Sequence, residues 1–389
     1  MIQAAQIRNY AQSLLPELID IRCHLHQHPE LSFKEFETSN YIKSILTKLG
    51  ISYTDQWAET GIVATIGKQS LKSIALRGDM DALPIQEKND VNYKSINENV
   101  MHACGHDVHM TCLLGAAMIL KEFEASLDGQ VKLIFQPGEE LLPGGAKALI
   151  GQGVLNDVNA IFGLHVQPKM DVGTLGFCKG ASMASCDEIY IKVIGRGGHA
   201  ALPDQAVDPI YIASQIIVQL QSIISKEKPP FSPSVLGIGK INSIGGATNI
   251  IPDEVLLEGT LRCLNEEWRA KAKKRIREII DSVAIGLGGR AEITIIDGYP
   301  CLMNNEDLTQ KAKNVVGQLY ENESVITIPS RMSSEDFAYY SHEIPACFFR
   351  LGIGKEAGVH TPYFDVDMNC LPIGAASLAS LAIHFSKNT

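Results

Sequence analysis

Short apolar runs alternate with helical stretches over the first 185 residues, and that alternation breaks at Asp187. The break narrows the accessible folds more than any other feature. Before it, Ile62–Ile66, Ser73–Leu76, Val131–Phe135 and Ala160–Val166 read as strands. Ile2 to Arg22, Phe36 to Leu49 (stopped by Gly50) and Val108 to Glu124 read as helices. Strands alternating with helices predict an α/β layer with a mostly parallel sheet. After the break, Ile189, Ile191 and Val193 alternate with polar residues, as in a half-buried strand. A helix from Pro209 to Ser225 follows, then a break at Pro229, Pro230 and Pro233. Strand-like runs Val235–Ile241 and Val255–Leu261, a charged helix Glu266–Ala284 and a strand Ala291–Ile296 complete the segment. The order β-α-β-β-α-β is ferredoxin-like and fills roughly 110 residues, a normal size for one inserted domain. The expected organisation is therefore an α/β domain in two parts, residues 1–185 and 299–389, interrupted by a smaller α+β domain over residues 186–298.

Charge and cysteine usage limit what such a chain does. Its 34 Lys and Arg against 44 Asp and Glu give a net charge of −10. An acidic molecule is a poor tracker of nucleic-acid phosphates and a poor ligand for an anionic membrane. No apolar run reaches the 18 or so residues of a spanning helix. The segment Met1 to Arg22 carries Gln, Asn, Glu and Asp among its apolar residues, unlike a signal peptide. Nine scattered cysteines without a CxxC pair imply reduced thiols and a cytoplasmic setting.

Chemistry concentrates in a few places. Three of the eleven histidines fall within the eight residues His102 to His109, together with Cys104 and Asp107. Thiolate and imidazole crowded before an apolar helix suit a metal site, with Cys104 and His106 facing one ion across Gly105. The alternative is that these histidines cap the helix and Cys104 is a small buried hydrophobe. The strand Val131–Phe135 runs into Gln136-Pro137-Gly138-Glu139-Glu140, which delivers paired carboxylates to a sheet's C-terminal edge. One could ligate a cation while its neighbour serves as general base; the alternative is a solvated turn. His165 ends a strand and His360 lies in a loop, and each alone reads equally well as structural. Convergence changes the balance, because four separate strand or loop ends each offer a ligand, as two-metal hydrolases require. Asp79 and Asp81 follow a strand and suit carboxylates that orient a ligating imidazole, or an acidic turn closed by Pro84. His199, among Gly195, Gly197 and Gly198, is a candidate donor to a developing oxyanion, or an exposed turn histidine. GxSxG, GxGxxG and GxxxxGK[ST] elements are all missing.

Taken together, the chain resembles the M20 family of metallo-amidohydrolases, in its branch of aminoacylases, hippurate hydrolases and auxin-conjugate hydrolases. The resemblance rests on His26 to Phe33, Arg77 to Pro84, His102 to His109, Gln136 to Glu140, Gly163 to Val166, Gly195 to Ala200, Asn249 to Pro252 and Ser334 to Phe337, in that order. It implies an α/β catalytic domain with an inserted ferredoxin-like lid. It also implies two divalent cations, Zn or Mn in the first place and Co or Ni as alternatives, held by Cys104, His106, Glu140, His165 and His360. Glu139 becomes the general base, Asp81 the acid that orients a ligand, and His199 the oxyanion donor from the lid. Asn249 and Arg262 would hold the substrate's amide or carboxylate end. The superfamily's usual His-x-Asp stands here as Asp79-Met80-Asp81, which matches the branch with a Cys ligand. The implied reaction is hydrolysis of an N-acyl amino acid by a homodimer joined through the lid. A dipeptidase or N-acetyldiaminopimelate-type deacetylase on the same scaffold, and a non-catalytic metal-binding protein, remain as alternatives.

Overall fold

A computed structural model describes residues 3–69, 73–320 and 324–387. Its first difference from expectation is at Pro16. The single helix expected over Ile2 to Arg22 is two helices, α1 (Ala4–Ser13) and α2 (Leu15–Gln27), with Pro16 in the first turn of α2. Proline has no N–H to continue a helix but fits the start of a new one. Met1 and Ile2 lie outside the described residues.

The chain continues with α3 (Phe36–Lys48), β1 (Ser52–Trp57), β2 (Gly61–Gly67) and β3 (Ser73–Asp79). Next come α4 (His106–Glu122), β4 (Gln130–Gln136), α5 (Gly145–Gly151), β5 (Val158–Gln167), β6 (Leu175–Phe177) and β7 (Gly180–Met183). The middle of the chain forms β8 (Asp187–Ile194), β9 (Gly198–His199), α6 (Pro209–Ser222), β10 (Ser234–Ile244), β11 (Ile250–Ile251), β12 (Glu254–Cys263), α7 (Glu266–Gly286) and β13 (Arg290–Asp297). It ends with β14 (Leu302–Asn304), α8 (Glu306–Gly317), β15 (Val325–Thr327), α9 (Ala338–Glu343), β16 (Ala346–Gly352) and α10 (Cys370–Ser386). Strand β1, whose residues are exposed or half-buried and mostly polar, lacked the apolar run that marks a strand in sequence.

Two compact units emerge. The first comprises Met1–Gly180, Met303–Pro329 and Asp336–Thr389. Its sheet has eight strands in the order β1-β2-β4-β3-β5-β16-β6-β15. The centre is parallel: β3 pairs with β4 and β5, and β5 with β16. Strand β3 is buried at every residue, as a sheet covered on both faces requires. The helix α4 is buried from His106 to Leu120 and packs with α10 in the main core. Beyond its polar first turn, α4 is apolar on every side from Cys112 to Leu120, as a helix enclosed all round requires.

The second unit comprises Ala181–Leu302 and Ser330–Glu335. Its four-stranded sheet has the order β10-β12-β8-β13, antiparallel throughout. Ile189, Ile191 and Val193 of β8 face a core shared with Ile212 and Ile216 of α6 and with Ala272, Ile276 and Ile280 of α7. Both helices carry a side-chain cap: Asp208 accepts from Ile210 N–H and Asn265 from Trp268 N–H. Residues 330–335 join this unit because Ala184 N–H bonds the carbonyls of Arg331 and Ser333 and Arg331 N–H bonds Ser182. Among the described residues no helix is long and apolar enough to cross a membrane.

Candidate metal centre

The C-terminal ends of β3, β4 and β5 lie side by side, with Asp79 opposite Gln136 and Arg77 opposite Gly163. Open α/β sheets bind ligands at this edge. Each strand delivers its polar residues there. Asp79 and Asp81 come at and just beyond the end of β3, Glu139 and Glu140 after β4, and His165 near the end of β5. The turn carrying Cys104 enters α4 through Gly105, which has φ +89°. A side chain at that position would meet Val166 Cγ2 at 2.5 Å, so only glycine lets the turn lie this close to β5. Gly138, at φ +63°, likewise turns the chain out of β4 beneath the Phe33 ring.

All five expected metal ligands converge. Cys104 Sγ is 3.4 Å from His165 Nε2, and donors of Cys104, His106 and His165 lie within 4.8 Å of one another. Cys104, Glu140 and His360 form a second such group, and His106, Glu139 and Glu140 a third. His360 Nε2 approaches Glu140 Oε1 at 3.2 Å. The His360 loop is tied to the cysteine turn by a 2.7 Å bond from His360 N–H to the Ala103 carbonyl. His360 also holds φ +61°, a conformation uncommon outside glycine and frequent at functional sites.

Hydrogen bonds fix which ring nitrogen is free. His106 Nδ1 donates to the Asp81 carbonyl at 2.8 Å, which leaves Nε2 as the nitrogen open to a cation. That Nε2 is buried with no hydrogen-bond partner. His165 Nδ1 donates to the Val166 carbonyl at 2.8 Å, so its Nε2 is likewise the acceptor facing Cys104. Burial, Arg350 and His109 together hold the His165 pKa well below its ordinary value, so the ring is neutral. Burial opposes charge on His106, yet Asp79, the bond to Asp81 and Glu140 push it up to about 10, so without a cation Nε2 also carries a proton, which a bound metal ion would displace. Burial, then Glu140, Glu139 and Asp79, push the Cys104 thiol well up. The centre thus gathers more negative charge than its own residues neutralise, and a cation is the natural complement. Thiolate, imidazole and carboxylate donors fit a borderline divalent ion, and two donor groups sharing Cys104 fit a pair of ions.

Asp81 positions this centre. Its carboxylate accepts from Ser32 Oγ at 2.6 Å, from Glu140 N–H at 2.9 Å and from Glu139 N–H at 3.1 Å, and lies 3.2 Å from His106 Nδ1. The imidazole it orients is therefore that of His106. Ser32 lies within the His26–Phe33 motif, but its role had no local signal, because its partner lies 49 residues away. His109, in the same cluster as His106, has no nitrogen left for a metal: Nδ1 bonds Asp79 at 2.6 Å and Nε2 accepts from Val166 N–H at 3.0 Å. His102 is buried and neutral, its pKa pushed by burial down to about 4.

The remaining expected residues lie in the second unit. His199 on β9 and Asn249 are neighbours: Ala200 N–H bonds the Asn249 carbonyl at 3.0 Å and His199 pairs with Ile250. Both are exposed. Arg262 stands on β12 opposite Val235, its guanidinium 3.4 Å from the Met332 carbonyl and Ser334 Oγ.

Comparison with known proteins gives a consistent result. A family model described as peptidase family M20/M25/M40 matches residues 75–384. IAA-amino acid hydrolase ILR1-like 4 of Arabidopsis thaliana is 40% identical over 377 residues, covering 95% of this chain and 85% of its own. N-acetyl-L-cysteine deacetylase of Bacillus subtilis is 42% identical over 357 residues, covering 91% and 85%. Among solved structures, the Bacillus subtilis YXEP protein, described as a dinuclear metal binding peptidase from the M20 family, superposes with a TM-score of 0.85. It is 34% identical, and the match covers 97% of this chain and 100% of that one.

Proposed function

The chain belongs to peptidase family M20/M25/M40, and from that premise we propose that this metallo-amidohydrolase cleaves N-acyl amino acids to a carboxylate and a free amino acid. The observation that carries the reading is the pairing of Glu139 and Glu140. One carboxylate, Asp81, holds both backbone N–H groups; the Glu140 side chain groups with His360 and Cys104, and both glutamates group with His106. Divalent cations held by Cys104, His106, Glu140, His165 and His360 would polarise the scissile carbonyl and acidify water in the centre. Glu139 takes the proton of the attacking water and passes it to the leaving amine. Asp81 holds one proton on His106 Nδ1, so that Nε2 is the nitrogen presented to a cation. His199 and Asn249 donate to the oxyanion, and Arg262 holds the substrate carboxylate. The relatives named for IAA-amino acid and N-acetyl-L-cysteine substrates support amino-acid conjugates as the substrate class.

A panel of N-acetyl, N-benzoyl and indoleacyl amino acids beside simple dipeptides, run with Zn2+, Mn2+, Co2+ and Ni2+ in turn, tests this. Cleavage confined to the acyl amino acids is expected. Turnover of dipeptides alone would replace the reading with a dipeptidase, and turnover of none would remove it. Ile210, Tyr211, Val218, Ile241, Ile244 and Ile285 of the second unit are exposed, which favours a homodimer formed through that unit. A monomeric mass by sedimentation equilibrium would exclude it. Nine free thiols are consistent with a cytoplasmic setting.

A further inference from the structure

Arg77 occupies the middle of the central sheet, buried on β3, and all three of its guanidinium nitrogens are committed to different residues. Nε donates to Gln136 Oε1 at 2.9 Å, one terminal nitrogen to Asp79 Oδ2 at 2.6 Å and the other to Asp336 Oδ1 at 2.8 Å. From Asp79 a chain of contacts runs to a ligand. Asp79 Oδ1 receives His109 Nδ1–H at 2.6 Å, His109 Nε2 receives Val166 N–H at 3.0 Å, and the Val166 carbonyl receives His165 Nδ1–H at 2.8 Å. From Asp336 a second chain runs to the base. Its carboxylate also accepts from Gln136 Nε2 at 2.8 Å and Ala146 N–H at 3.0 Å, and its own N–H points to Glu139 Oε1 at 3.4 Å.

Resting on the metal-hydrolase reading above, we propose that Arg77 is a positioning residue that aims two parts of the centre at once, the His165 ligand through Asp79 and His109, and the Glu139 base through Asp336. A planar fork with fixed donor directions can serve two carboxylates in set orientations, and a lysine ammonium on a flexible stem cannot. Residues that orient metal ligands typically change metal affinity by roughly 10–100-fold when replaced. The two limbs should therefore separate experimentally. Loss of the Asp79 limb weakens and reshapes metal binding. Loss of the Asp336 limb slows turnover and leaves the metal undisturbed.

The test loads the full-length protein and its variants with Co2+, whose visible bands report ligand geometry, and measures affinity by chelator competition beside kcat and KM. Asp79→Asn is expected to lower Co2+ affinity roughly 10–100-fold and to shift the bands. Asp336→Asn is expected to keep both and to lose at least about tenfold in kcat at unchanged KM, as misplacement of a catalytic group does. Arg77→Lys should do both. An Arg77→Lys protein with wild-type bands, affinity and kcat overturns the proposal. Should that variant fail to fold, the two near-isosteric asparagine variants decide: wild-type bands and affinity in Asp79→Asn, or unchanged kcat in Asp336→Asn, overturn it equally. Wild-type protein that takes up no Co2+ is a separate outcome, which removes the metal-centre reading and this inference with it.

Discussion

Cys104 Sγ lies 3.4 Å from Nε2 of His165, although 61 residues separate the two in the chain. Two donors so close, one of them a thiol held protonated by burial and by surrounding carboxylates, make sense around a shared ion. Cys104→Ser replaces a soft donor with a hard neutral one. We expect Co2+ or Zn2+ affinity to fall at least about tenfold, and the near-ultraviolet thiolate band of the Co2+ form to vanish. Retention of that band in the variant would remove Cys104 from the ligand set.

Glu139→Gln keeps shape and removes basicity. The expected loss in kcat is about 10²–10⁴, with metal content unchanged by elemental analysis. Near-normal turnover would transfer the base role to another group.

His199→Ala in the second unit should cost about 10²–10³ in kcat, the usual effect of losing one oxyanion donor, and leave metal content alone. Steady-state kinetics with matched metal loading checks this. Full activity would rule His199 out of the reaction.

Glu35 gives a pH-dependent stability in the metal-free protein. Burial and the nearby Asp81 raise its pKa from the ordinary 4.5 to about 7, despite bonds from Thr60 Oγ1 at 2.7 Å and Gly138 N–H at 2.9 Å. The folded state therefore holds a proton that the unfolded state releases between these values. This contribution is fully present below pH about 4.5 and is lost as pH rises through about 7, an effect of roughly 3 kcal/mol. Urea midpoints at a series of pH values should fall less steeply over that window for Glu35→Gln than for wild type. Parallel curves would show that Glu35 titrates normally.

The second unit depends on a buried ion pair. Arg269 donates to both carboxylate oxygens of Asp187, each at 2.8 Å. Arg269→Ala would leave Asp187 charged and buried, at a cost of about 3–5 kcal/mol. Thermal or urea unfolding measures it, and a loss under about 1 kcal/mol would mean that Asp187 finds another partner or takes up a proton.

Legibility in sequence differed from place to place. The helices α3, α4 and α7 and the strands β4, β5, β8 and β12 lie within two or three residues of the positions read from apolar periodicity. That signal is local, so one chain suffices to carry it. Strand β1 was invisible because its residues are mostly polar and partly exposed; its place is set by pairing with β2. Leu14 and Pro16 divide the first helix for a reason that was present in the sequence, the missing N–H of proline, but periodicity ran across it.

At the centre, the sequence by itself determined the kinds of donor available and their delivery to strand ends and turns: a thiol at Cys104, imidazoles at His106, His165 and His360, and paired acids at Glu139 and Glu140. Only the tertiary structure decided which of them are free to bind. His106 and His109 share one helix and one local signal, yet His106 Nε2 makes no hydrogen bond, whereas both nitrogens of His109 are taken by Asp79 and Val166. Those partners arrive from β3 and β5. A ring nitrogen's lone pair is settled by whichever remote group bonds the opposite side of the ring, and no local pattern encodes that choice.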